Sequence, residues 1–285
     1  MSAIFKKANT AVITGGASGI GLALAQKCIG YGMRVLVADW DAQALGKAGE
    51  TLGSAASTVR MDVSKLEDWS GLKDRVTKEF GGQINLLALN AGVSAKTAFD
   101  GEGADPAAFQ RILNVNFLGV VNGILTLLPL VKEKATATTT SDYKAAIVIT
   151  GSKQGITNPP GNPAYNASKA AVKSVAEQLS FDLRGLSNVN THLLVPGWTW
   201  TALAGAGSGR EKPEGPWTPG QVVDYLEAKM GEGRFWVVCP DNDVDEETDR
   251  RRMVWAAGDA VEGRPPLSRW REEYKGEFGE WMGRK

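Results

Sequence analysis

The sequence predicts an α/β fold, a doubly wound parallel sheet of about seven strands with helices on both faces. Three observations predict it. Short continuous apolar runs, such as residues 10–14, 34–39 and 145–150, have the look of strands buried on both faces. Longer stretches of helical period separate them. The first strand-to-helix junction is a glycine-rich turn, Thr14-Gly15-Gly16-Ala17-Ser18-Gly19-Ile20-Gly21.

The first strand, 10–14, runs into that turn, and a helix from Leu22 comes next, closed by Gly30 and Gly32. Glycines let a backbone approach a pyrophosphate, and a helix start offers free N–H groups and the positive end of its dipole. The spacing is Gly-x3-Gly-x-Gly rather than Gly-x-Gly-x-x-Gly. The second strand, 34–39, ends in Asp39, roughly 20 residues beyond the glycines, where a carboxylate accepts both ribose hydroxyls of NAD and repels the extra phosphate of NADP. Neither Trp40 nor Asp41 supplies a cation for that phosphate, so NAD is expected and NADP is less favoured. Asp39 would also serve as N-cap of a helix over 42–52.

The third strand, 56–61, leads to Asp62-Val63. Ser64 and Glu67 have capping-box spacing for a helix that runs to about Phe80 and stops at Gly81-Gly82. The fourth strand, 84–89, ends in Asn90-Ala91-Gly92. Gly15, Asp39, Asp62 and Asn90 therefore all fall at C-terminal strand ends, where such sheets bind ligands.

After a loop at 101–105, residues 106–134 read as one long helical stretch. Asn114 and Asn116 interrupt its apolar surface; buried amides need bonded partners, and backbone groups would suffice. A Thr-rich loop is expected over 135–142. The fifth strand, 145–150, is followed by Gly151-Ser152 and a stiff, proline-rich loop over 153–163. Ser152 suits either a turn or a hydrogen bond to a substrate carbonyl oxygen. Tyr165 and Lys169 then open a helix with apolar spacing through Leu183, and they share one face, one turn apart. A free phenol titrates near pH 10, and a cation a few ångströms away favours the phenolate. The pair suits general acid/base work, although a bare Tyr-x-x-x-Lys also occurs on ordinary helix surfaces.

The sixth strand, 190–195, holds His192 among apolar neighbours, as a structural histidine. Pro196-Gly197-Trp198-Thr199-Trp200-Thr201 ends it and faces the same crevice. The Gly- and Pro-rich stretch after it has the length of a lid. Trp198, Trp200 and Trp217 fit an apolar or aromatic substrate, or packing on a neighbouring subunit. A short helix over 219–230 and a seventh strand over 234–239 complete the sheet. The charged run 241–252 reads as mostly a solvated face, with pairs among Glu246, Glu247, Arg250 and Arg251. The tail's Trp255, Trp270, Tyr274, Phe278 and Trp281 must dock, on the body or on a partner.

Composition narrows the function. The 285 residues are 43% hydrophobic and carry 32 basic and 32 acidic side chains, so nothing points to nucleic acid or an anionic membrane. The N-terminus lacks a signal peptide's apolar core, and no apolar run approaches the ~20 residues of a membrane span, so a cytoplasmic protein is expected. Cys28 and Cys239 read as buried free thiols. With His192 the only histidine, no metal site is expected. One domain over 1–285 is expected, with 202–220 as substrate loop or lid and 240–285 as a C-terminal extension.

In combination these motifs resemble the short-chain dehydrogenase/reductase family, of the single-domain, Rossmann-like kind, over residues 10–201 and the seventh strand. The resemblance implies a catalytic set of Asn116, Ser152, Tyr165 and Lys169. It implies a cofactor site of Gly15, Ser18, Gly19, Ile20, Gly21, Asp39, Trp40, Asp62, Val63, Asn90, Ala91, Gly92, Tyr165, Lys169, Pro196, Gly197, Thr199 and Thr201. Thr199 departs from the aliphatic residue common there, though its backbone still suits the carboxamide. The implied reaction is hydride transfer between NAD(H) and a secondary alcohol or ketone. Tyr165 moves the hydroxyl proton, Ser152 steadies the substrate oxygen, and Lys169 lowers the phenol pKa and holds the nicotinamide ribose. Asn116 anchors a water that relays protons to Lys169. A homodimer or homotetramer is the family expectation. Isomerisation or ring formation with the same cofactor, and non-catalytic nucleotide binding, are the competing functions.

Overall fold

Each apolar run pairs as a strand, and the helices between them cover both faces of the sheet. The structure is a computed structural model describing residues 3–137, 143–206, 209, 211–241 and 244–283. In chain order it contains β1 (Thr10–Thr14), α1 (Gly19–Gly30), β2 (Arg34–Asp39), α2 (Ala42–Leu52), β3 (Ala56–Arg60) and α3 (Leu66–Phe80). Then come β4 (Leu86–Leu89), α4 (Pro106–Leu113), α5 (Gly119–Ala137), β5 (Ala145–Thr150), α6 (Gln154–Thr157) and α7 (Pro163–Asp182). β6 (Val189–Val195), α8 (Pro219–Gly231), β7 (Trp236–Val238), α9 (Glu246–Glu262) and α10 (Lys275–Gly283) complete it.

The seven strands are all parallel, in the order β3-β2-β1-β4-β5-β6-β7. The order reverses beside β1, which pairs Thr14 with Ala38 on one side and with Leu89 on the other. At such a reversal the connections leave in opposite directions and a crevice opens at the C-terminal strand ends. One face of the sheet packs Trp69, Leu72, Leu127 and Val172 from α3, α5 and α7. The other packs Leu24, Leu45 and Leu226 from α1, α2 and α8.

Several local expectations are corrected. The long helix over 106–134 is broken by a π-helical segment, Asn114–Leu118, and α5 continues to Ala137. A π-turn adds a residue and re-aims the side chains near it, which is how Asn116 comes to face inward and fully buried. The expected loop over 135–142 thus begins as helix, and residues 138–142 lie outside the described residues. Ser64 and Glu67 form no capping box. α3 starts at Leu66, and Ser64 instead donates through its N–H and Oγ to Asp62 Oδ1, at 3.0 and 2.7 Å. Asp68 replaces the box by accepting the Asp62 N–H at 2.7 Å. The loop over 153–163 contains the short helix α6. By composition alone the stretch Pro106–Ala137 is apolar enough to cross a membrane, with mean hydropathy 1.7 over its most apolar part, more than the sequence suggested. Here its Val120, Ile124, Leu127 and Val131 pack on the sheet.

The tail docks on its own chain. α9 packs on α6, and Trp255 stacks against Phe278 and Trp281, with ring centroids 5.3 and 6.0 Å apart. Trp255 donates to Ser268 Oγ at 2.7 Å, and the Arg264 guanidinium lies 4.0 Å from the centre of its ring. Trp217 is likewise pinned, exchanging backbone bonds with Trp198 and Trp200.

α5 approaches the sheet closely because Gly123 has no side chain: a Cβ there would lie 2.6 Å from Leu89 and from Trp69. Gly123→Val is expected to cost about 1–3 kcal/mol, read as a lowered urea midpoint. Gly276→Ala, at a position with open space, leaves the midpoint unchanged or slightly raised. Equal midpoints for Gly123→Val and wild type would contradict the close packing.

Candidate active site

The turn after β1 is shaped by backbone geometry that side chains would obstruct. Gly15 and Gly19 have φ of +62° and +53°. A Cβ on Gly15 would sit 2.7 Å from Ala91 Cα, and one on Gly21 would strike the Gly15 carbonyl. The turn therefore lies against the end of β4. Ser18, at the N-cap of α1, makes no side-chain cap bond, and the first turn of the helix carries no acid. That leaves a positive helix end able to receive an anion. Ile20 packs against the core beneath the turn, and the Thr201 methyl borders Gly19.

Asp39 stands beside this turn. Its Oδ2 accepts the Ala17 N–H at 3.1 Å and its Oδ1 the Asp41 N–H at 3.2 Å. Capping of α2 falls to Asp41, which accepts from Gln43 and Ala44, so Asp39 is not spent on a helix end. Trp40, next along, is exposed. Asp62 and Val63 lie just beyond β3, nearby in the sheet, with the Val63 carbonyl accepting Trp69 Nε1–H at 2.8 Å.

Asn90 locks the middle of the crevice. Its Nδ2 donates to the Thr14 and Gly15 carbonyls at 3.3 and 3.1 Å, and its Oδ1 accepts from Thr150 Oγ1 at 3.1 Å. Thr14 Oγ1 accepts the Asn90 and Ala91 N–H groups. The ends of β1, β4 and β5 are thereby fixed relative to one another. Asn116 does the same one layer out. Its Oδ1 accepts the Val93 N–H at 2.8 Å; its Nδ2 donates to the Val93 carbonyl at 2.9 Å and to Ser168 Oγ at 3.0 Å. Its bonding is thus mostly to backbone, and Gly92 faces both Asn116 Oδ1 and Lys169 Nζ.

Ser152, Tyr165 and Lys169 meet at the end of β5. The Ser152 hydroxyl oxygen accepts the Gln154 N–H at 3.1 Å. Lys169 is buried and donates from Nζ to the Thr150 carbonyl at 2.8 Å, and Nζ lies 5.7 Å from the Tyr165 ring centre. No ion pair of Lys169 is found among the described residues. Its amine is accordingly pushed down to about 8 by burial. The sequence expectation that this cation depresses the phenol is corrected. Burial holds Tyr165 above its ordinary value, and the Ser152 hydrogen bond opposes that shift. The physical reason is aim: the ammonium points at a carbonyl, and desolvation of the hydroxyl outweighs the attraction.

One cluster departs in part from the sequence expectation. The run 241–252 is not simply a solvated face. Asp249 is 1% exposed, and its Oδ2 lies 2.7 Å from Lys153 Nζ, which also pairs with Asp241. Arg252 lies 3.5 Å from the other oxygen of Asp249. Burial raises the Asp249 carboxyl, and the Lys153 ammonium opposes the rise. The surface pairing is real further along, where Glu247 binds Arg250 and Arg251, while Glu246 turns to Tyr225 and Lys229. His192 donates from Nδ1 to the Arg234 carbonyl at 2.7 Å within the sheet, as a structural residue. Both cysteines are free and buried. Thr150, Lys153 and Ser168 bond residues around the site and were not singled out by sequence. Their partners are backbone groups or lie far along the chain, and no local pattern marks them.

Comparison with known proteins shows the family. A family model described as short chain dehydrogenase matches residues 9–211. The chain is 30% identical over 207 residues to 3beta-hydroxysteroid dehydrogenase 2 of Eggerthella lenta, covering 72% of this chain and 75% of that one. It is 29% identical over 209 residues to the NADP-dependent (R)-specific alcohol dehydrogenase of Lentilactobacillus kefiri, covering 72% and 79%. A short chain dehydrogenase/reductase from Burkholderia phymatum, solved in complex with NAD, superposes with a TM-score of 0.78 at 28% identity, covering 91% and 96%.

The amine of Lys169 makes a measurable demand on stability. Its folded pKa of about 8 lies below the ordinary 10.5, so between those values the unfolded chain holds more protons and stability rises with pH. Relative to Lys169→Met, wild type is expected to gain about 2 kcal/mol in urea unfolding between pH 7 and 9.5. A difference that does not change with pH would show that Lys169 titrates normally.

Proposed function

Because the chain belongs to the short-chain dehydrogenase family, we propose that this oxidoreductase passes hydride between NAD(H) and a secondary alcohol or ketone. The residues present fit a dinucleotide. The Gly15–Gly21 turn has no side chain in the way, the start of α1 is open to an anion, and Asp39 stands at the end of β2. Bound there, the nicotinamide would accept or supply hydride.

The chain's own residues do the rest. Gly15, Ser18, Gly19, Ile20 and Gly21 hold the pyrophosphate through N–H groups. Asp39 accepts the ribose hydroxyls and rejects a 2′-phosphate, with Trp40, Asp62 and Val63 around the adenine. Asn90, Ala91, Gly92, Pro196, Gly197, Thr199 and Thr201 border the nicotinamide half. Ser152 holds the substrate oxygen, and Tyr165 takes or returns its proton. A phenol raised by burial is a stronger base once ionised, and the Ser152 bond steadies its charge. Lys169, close to neutrality in its proton affinity, orients the ribose and exchanges its proton through a water held at Asn116.

The observation that carries this reading is the buried Lys169 amine, bonded to the Thr150 carbonyl two residues before Ser152 and 5.7 Å from the Tyr165 ring centre. The indoles of Trp198, Trp200 and Trp217 support an apolar or aromatic substrate. Backbone bonds of Trp217 with Trp198 and Trp200 support reading the loop over 202–220 as a lid, residues 207, 208 and 210 lying outside the described residues. Exposed Leu125 and Phe181 on α5 and α7 support a homodimer or homotetramer. We take 1–285 as one domain, extended from 240 onward.

A panel of secondary alcohols and ketones with both cofactors tests the function. Tyr165→Phe is expected to lower kcat by about a thousandfold or more, with NADH binding retained. Normal turnover in that variant removes the proposed role, and cofactor binding with no turnover across the panel favours a regulator. Asp39→Ala is expected to narrow the preference for NAD over NADP. Wild-type kinetics that favour NADP would overturn the assignment of Asp39.

A further inference from the structure

We propose that Lys153, clamped between Asp241 and Asp249, is a positioning residue for the Ser152 hydroxyl, so that the C-terminal extension completes the reaction site. The proposal rests on the role of Ser152 in holding the substrate oxygen. The family match ends at residue 211, so both carboxylates belong to a part of the chain it does not cover.

Lys153 comes directly after Ser152, and its bonds reach four segments. Its N–H donates to the Pro196 carbonyl at 3.2 Å, tying the end of β5 to the end of β6. Its carbonyl accepts Thr157 N–H and Oγ1–H at 2.9 and 2.8 Å, closing α6. Its ammonium binds Asp241, just past β7, and Asp249, on α9. Asp241 in turn accepts the Trp198 N–H at 2.8 Å through Oδ2. Gly197 has no room for a Cβ because the Asp241 carboxylate occupies that space. On the opposite side, a Cβ on Gly155 would lie 2.6 Å from the Lys169 carbonyl carbon. α6 is therefore wedged between the Tyr165–Lys169 helix and the carboxylate pair.

That wedge sets Ser152. The Gln154 N–H, which holds Ser152 Oγ, and the Gly155 N–H, which bonds the Ser152 carbonyl at 2.9 Å, both belong to α6. A helix of four residues has no stability of its own, so its place is set by what grips it. The tail has a second anchor on the body, since Glu246 of α9 also bonds Tyr225 and pairs with Lys229 of α8. Lys153, Arg252 and Arg269 face Asp241 and Asp249. Removing the lysine takes away the cation that ties both carboxylates to α6, and the grip on α6 is lost.

The test is a double-mutant cycle on the NAD-dependent oxidation of 1-phenylethanol, or of the fastest alcohol in the substrate panel. Lys153→Met is expected to lower kcat about a hundredfold while NADH Kd changes less than about twofold. Lys153→Arg restores kcat to within about tenfold of wild type. In a Ser152→Ala background the same Lys153→Met change costs less than about threefold, since its effect runs through Ser152. Losses that multiply, or Lys153→Met turnover within about threefold of wild type, would overturn the proposal. Should Lys153→Met not fold, Asp249→Asn replaces it in the cycle, with kcat about tenfold lower and the same non-additivity; multiplicative losses overturn it equally. If Ser152→Ala alone turns over like wild type, the role of Ser152 fails, not merely that of Lys153.

Discussion

Lys169 carries its amine into the protein with no carboxylate to meet it among the described residues. A backbone carbonyl, that of Thr150, receives it, and burial draws its pKa towards neutrality. Desolvating an ammonium without a counter-charge is unfavourable, so the surroundings must hold it in place. They do so in a definite order. β5 supplies the carbonyl, Asn90 bonds the side chain of the same Thr150, and Asn116 reaches the helix of Lys169 through Ser168. Tyr165 comes with Lys169 because the two share a helix face, and Ser152 comes with β5 because it lies two residues past that strand.

The parallel sheet makes this assembly possible. Its strands all end on one side, so side chains from distant parts of the sequence converge without long excursions of the chain. Asn90 is central to that convergence, since it bonds the glycine turn on one side and Thr150 on the other. The glycine turn, Asn90, Thr150 and Lys169 are consequently parts of one hydrogen-bonded frame. Loss of a bond at either end is felt across the crevice.

The sheet was legible in the sequence because buried parallel strands are short apolar runs and the glycines and prolines between them mark the turns. The candidate residues of the site could be picked out because each stands at a strand end or one helical turn from another. What escaped was set by contacts far apart in sequence. The charged run 241–252 has the composition of a surface, and nothing local shows that Asp249 turns inward to a lysine 96 residues earlier. The π-turn at Asn116 leaves no periodicity to detect. The expectation that a neighbouring cation must depress a phenol failed for a related reason: spacing along a helix fixes proximity, while aim and burial decide the sign. The capping box at Ser64 failed because Asp62 and Asp68 compete for the same groups.

The buried amine is held by the fold without a counter-charge among the described residues. The most direct test is to titrate it. Site-resolved NMR of the lysine side chains in the cofactor-free protein, with Lys169 assigned by comparison with Lys169→Arg, reads its proton affinity without any substrate. An apparent pKa of about 8 is predicted. A value at or above the ordinary 10.5 would contradict the account, because the amine would then be solvated or paired rather than buried beside Tyr165.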